Sequence, residues 1–77
     1  MSQDVYRDAK AIAGRLAVSG HVEDSDRIVQ SMRYGSTGTE ILMDLRAQLL
    51  RVKEHRLSSG LKRSIEVLID RIDRAIA

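Results

Sequence analysis

Tyr34-Gly35-Ser36-Thr37-Gly38-Thr39-Glu40-Ile41-Leu42-Met43-Asp44-Leu45-Arg46-Ala47-Gln48-Leu49-Leu50-Arg51-Val52 is a glycine-punctuated turn that runs into the most apolar helical stretch of the chain. Thr37 and Glu40 have the spacing of a capping box, in which the hydroxyl takes the amide at position 40 and the carboxylate reaches back to the amide at 37. At about 100° per residue, Ile41, Leu45, Leu49 and Val52 fall within roughly a quarter-turn of Leu42, while Met43 and Leu50 widen the stripe on the other side. An apolar arc covering about half the circumference predicts a central helix that touches its neighbours on more than one side.

Working outward, the same period recurs. Val5, Ala9, Ile12, Ala13 and Leu16 define a first helix, capped by Ser2 or Asp4 and ended by Gly20, with Gly14 on its outer face. A second helix starts between Val22 and Ser25 and ends at Tyr34. Glu23, Asp24 and Asp26 lie in its first turn and Arg33 in its last, as the helix dipole favours. Its stripe of Ile28, Val29 and Met32 is short. The third helix runs from Gly38 to Glu54 or Arg56. A polar linker, His55 to Gly60, then leads to a last helix carrying Leu61, Ile65, Leu68, Ile69, Ile72 and Ile76, capped by Ser58 or Ser59. On its outer face Lys62 is spaced to pair with Glu66, and Asp70 with Arg74. The alternation that marks strands is absent. Short turns between four helices predict an all-α, antiparallel four-helix bundle forming a single small domain over residues 1–77, with Ile12, Leu16, Ile28, Met32, Leu42, Leu45, Leu49, Leu61, Leu68 and Ile72 in its core.

Composition narrows the function classes. The 77 residues contain no Cys, Pro, Phe or Trp, so disulfides and thiolate metal sites are excluded and the core is aliphatic. A core this small leaves room for a homodimer or a partner to add stability. The longest apolar run, Ile41-Leu42-Met43, is far too short to span a membrane, and the polar start Met1-Ser2-Gln3-Asp4 is unlike a signal peptide. A cytoplasmic location is expected, with no membrane partner.

Thirteen Lys and Arg against eleven Asp and Glu give a net charge of +2, unevenly distributed. Residues 20–45 carry Glu23, Asp24, Asp26, Glu40 and Asp44 against Arg27 and Arg33. Residues 46–63 carry Arg46, Arg51, Lys53, Arg56, Lys62 and Arg63 against Glu54. A bipolar surface of this kind orients a protein partner. Glu23, Asp24 and Asp26 are expected to face basic groups of that partner, and Arg51 and Arg56 acidic ones. Arg46 lies about 40° from Leu42, either packing its stem beside the core with its guanidinium at an edge, pairing with a buried acid, or projecting from an apolar patch toward the partner.

No chemistry assembles from spacing. His21 and His55 fall in two predicted turns and read as solvated loop histidines. Asp24 and Glu23 lie within a turn of His21, too few ligands for a metal. Gly35-Ser36-Thr37-Gly38-Thr39 opens a helix but is followed by Glu40, not by the Lys-Ser/Thr of a nucleotide loop. Neither catalytic residues, nor a metal, nor a cofactor is expected. The basic run Arg51, Lys53, Arg56, Lys62 and Arg63 offers a nucleic-acid-binding regulator as the alternative. It lacks interleaved aromatics, and a helix-turn-helix around Gly35–Thr37 would open its recognition helix with Glu40 and Asp44.

From Met32 to Leu50, and above all in Gly35-Ser36-Thr37-Gly38-Thr39-Glu40-Ile41-Leu42-Met43 with Leu45-Arg46, the chain resembles small helical bacterial proteins of the toxin-immunity kind. The resemblance implies a four-helix scaffold that neutralises a secreted toxin by binding a toxin domain. Many such proteins are strongly acidic, whereas the pI here is near 9.4, a departure that disfavours a basic nuclease as the target.

Overall fold

The computed structural model describes residues 2–33 and 37–77, with side chains from Val5 onward. Four helices follow in order: α1, Ser2–Val18; α2, Val22–Arg33; α3, Gly38–Lys53; and α4, Ser59–Ile76. The local signals that set their ends are largely those of the sequence. Gly20 ends α1 with a φ of 91°, a left-handed conformation that an L side chain rarely takes. The Thr37 hydroxyl accepts the Glu40 amide at 3.1 Å and starts α3. Among the described residues the Glu40 carboxylate makes no return bond, so half of the capping box forms. The Ser58 hydroxyl caps α4 by accepting the Leu61 amide at 3.3 Å. The turn expected at Gly35–Thr37 and the end of the second helix at Tyr34 fall on residues 34–36, outside the described residues. So do the side chains of Ser2 and Asp4; the backbone of α1 already runs from Ser2, which places Asp4 inside the helix rather than at its cap.

The helices form an antiparallel ring. Each packs against the helix before and after it, α4 closes on α1, and among the described residues the backbones of the diagonal pairs stay farther apart. This corrects the expectation of a central α3. In a closed ring each helix buries one stripe between two neighbours, so α3 is one of four equals and its outer residue Met43 stands 57% exposed. One cluster fills the middle: Val5, Ala9, Ile12, Ala13 and Leu16 from α1, Ile28 from α2, Leu42, Leu45, Leu49 and Val52 from α3, and Leu61, Ile65, Leu68, Ile69 and Ile72 from α4. Of the expected core residues only Met32 differs; it packs half-buried at the edge. The outer faces are tied by Arg46 to Asp73 between α3 and α4, and by Arg71 to Asp8 between α4 and α1. Asp70 and Arg74 pair at 3.1 Å as their spacing predicts, whereas Glu66 turns to Lys53 of α3, at 3.8 Å, instead of Lys62. Among the described residues no helix is long and apolar enough to cross a membrane.

Candidate functional site

An antiparallel ring puts the α1–α2 turn and the α3–α4 turn at the same end of the bundle. There the two connections meet: Val18, Ser19, Ser58 and Leu61 line one shallow concavity, and Gly20 to Asp24 with Arg27 and His55 line another. The α1–α2 turn is held by the His21 amide donating to the Leu16 carbonyl at 2.8 Å and the Gly20 amide donating to that of Ala17 at 3.2 Å. Its tightness leaves Val18 and Val22 with no core to enter. They stand 89% and 54% exposed, one on each side of the turn.

Charged groups share this end of the bundle. Glu23 and Asp26 are exposed on the first turns of α2, Arg51 on the last turn of α3 and Arg56 in the α3–α4 turn. None of these four has an ion pair among the described residues. The structure therefore gathers at one end four of the six residues that the sequence marks for partner contact. The other two are placed differently. Asp24 is not an exposed acid. It is 7% exposed on the inner face of α2, because position 24 shares the buried stripe with Ile28 and Ser31. Arg46 lies mid-helix with its guanidinium paired to Asp73, an acid whose side chain is 45% exposed rather than the buried acid that the sequence offers as one alternative.

The acid that went inside is met by both histidines. His55 Nδ1 lies 2.7 Å from Asp24 Oδ2, a hydrogen bond that joins the α3–α4 turn to the start of α2. His21 Nδ1 lies 3.7 Å from the same oxygen, and the two imidazole rings stack with centroids 6.1 Å apart and planes inclined by 22°. His21 and His55 are thus not two separate solvated loop residues; one donor atom from each and one from Asp24 all lie within 4.8 Å of one another. The sequence reading placed Asp24 near His21 but missed His55, which two helices separate from it. Only the bundle topology brings it back.

A second groove lies between α1 and α4, floored by Ala11, Ile12, Val67 and Leu68 and rimmed by Arg15, Arg63 and Arg71. Two of its polar rim groups are engaged across it: Arg15 donates to Ser64 Oγ at 3.1 Å, and Arg71 pairs with Asp8. Those bonds make it a seam of the fold more than an open surface. The chain matches no protein-family model, no curated protein and no solved structure at a significant level.

Proposed function

We propose that this chain is a non-enzymatic module that works by occupying a protein partner, and that the two-turn end of the bundle is the surface it uses. The observation that carries this reading is two exposed valines, Val18 and Val22, at an end of the bundle that also carries exposed Glu23, Asp26, Arg51 and Arg56, none of them ion-paired among the described residues. Protein interfaces follow that plan: a small apolar centre supplies affinity once water is excluded, and the charged rim sets encounter rate and specificity. Glu23 and Asp26 face basic groups of the partner, and Arg51 and Arg56 acidic ones. Neutralisation of a toxin domain in a bacterial cytoplasm is the specific form we propose, supported by the resemblance of residues 32–50 to immunity-type proteins and by a small rigid scaffold of fitting size.

The experiment is co-purification of the tagged chain from its own host cell, in parallel with Val18→Glu/Val22→Glu and with Met43→Glu, an apolar position about as exposed as Val22 on another face. We expect a stoichiometric protein partner with the wild type and with Met43→Glu, and its loss with the double variant. A partner held equally by all three would overturn the assignment of the surface. Recovery of nucleic acid alone, with affinity falling log-linearly with salt, would overturn the function.

A further inference from the structure

We propose that His21, Asp24 and His55 form a binding site for a late first-row divalent metal, Zn(II) in the first instance. The inference is independent of the protein-binding reading. Two imidazoles and one carboxylate are a recurrent donor set for such metals, and with three protein ligands the remaining positions fall to water. The donors here come from two turns and one helix start, and all converge on the Asp24 carboxylate oxygen Oδ2. In a tetrahedral shell with bonds of about 2.0–2.1 Å, neighbouring donors lie roughly 3.3–3.4 Å apart. The observed 2.7 and 3.7 Å separations bracket that spacing, and all three donor atoms lie within 4.8 Å of one another.

Hydrogen bonding within the chain does not exhaust the cluster. His55 satisfies Asp24, but 3.7 Å is too long for a hydrogen bond, so the His21 nitrogen points at the same oxygen without bonding it. A cation among the three would replace the His55–Asp24 hydrogen bond: with the His55 proton on Nε2, Nδ1 of His55, the His21 nitrogen and the Asp24 oxygen each offer a lone pair to the metal. The shell around them is suited to this. Asp24 is held rigid by burial and by its place in the first turn of α2, while the rings are part-exposed, so metal can enter from solvent. Glu23 and Arg27 line the same concavity with opposite charges, leaving the Asp24 carboxylate as the net charge that faces the ion. Bound there, the metal links the start of α2 to the segment that follows α3, at the end away from the chain connection between those helices.

The test is a titration of the purified full chain with Zn(II), against a competing chromophoric chelator at neutral pH, on wild type, His21→Ala and His55→Ala. Both rings are part-exposed, and circular dichroism checks that each variant keeps the fold. Asp24→Asn is added only if it also folds. The expected result is one Zn(II) per chain. Each histidine variant should weaken binding by more than about tenfold, the loss that removing even an outer-shell partner produces. Affinity should fall as pH is lowered, since imidazole binds metal in its neutral form. At about 100 times the dissociation constant the wild-type melting midpoint should rise by roughly 10–20 °C, and that of the variants much less. No saturable 1:1 binding, or binding unchanged in either folded histidine variant, would overturn the proposal.

Discussion

Leu45→Ala probes the packing that holds the four helices in a ring. Leu45 is fully buried on α3, facing the cluster formed with Leu16, Ile28, Ile65 and Leu68. The substitution removes three carbons, which at about 0.8 kcal/mol each lose about 2.4 kcal/mol of transfer free energy. The space left adds up to about 2 kcal/mol more, according to how far the neighbours relax into it. The expected loss is therefore about 2.5–4.5 kcal/mol, a large part of the stability of a domain this size, which runs to about 4–11 kcal/mol at the usual range per residue. At roughly 4–8 °C per kcal/mol the melting midpoint should fall by about 10–36 °C. Thermal and urea melts followed by circular dichroism read the effect, with Met43→Ala on the exposed side of the same helix as the control, expected to stay within about 0.5 kcal/mol of wild type. A Leu45→Ala melt within two or so degrees of wild type, or a loss at Met43 equal to that at Leu45, would mean that α3 presents a different face to the core.

Two further outcomes test finer features. Thr37→Ala should lower stability by about 1 kcal/mol, because it strips the Glu40 amide of its cap; Thr37→Ser should recover most of it in the same melts. Among the described residues the buried side-chain oxygen of Gln48 has no partner, so Gln48→Met should be neutral or stabilising, and a loss beyond about 1 kcal/mol would show that the oxygen is satisfied in solution.

The helices with one continuous aliphatic stripe were legible from spacing alone. Every position of the α4 stripe from Leu61 to Ile72 is buried, as its period predicts, and α1 behaves likewise. α2 was harder. Its inner face is half polar, with Asp24, Ser25 and Ser31 inside, and a hydrophobic period cannot register a buried acid. Asp24 looked like dipole-favoured surface charge because its identity and its place in the first turn fit that role equally well. The cluster with His21 and His55 was out of reach for a related reason. Residues on separate turns become neighbours only through the antiparallel closure of the ring, which local spacing does not encode. The exposed Val18 and Val22 were visible in the sequence as valines beside Gly20, but their burial depended on how tightly that glycine turned the chain.

The measurement that tests the functional reading most directly is site-specific photo-crosslinking in the host cell, with the photoreactive side chain placed at position 18 and, as a control, at position 67, where Val67 is exposed on α4. One dominant protein adduct is expected from position 18 and none from position 67, with loss of the position-18 adduct when Arg51 and Arg56 are both replaced by Glu. An adduct from position 67 with none from position 18, or crosslinking to nucleic acid alone, would contradict that reading.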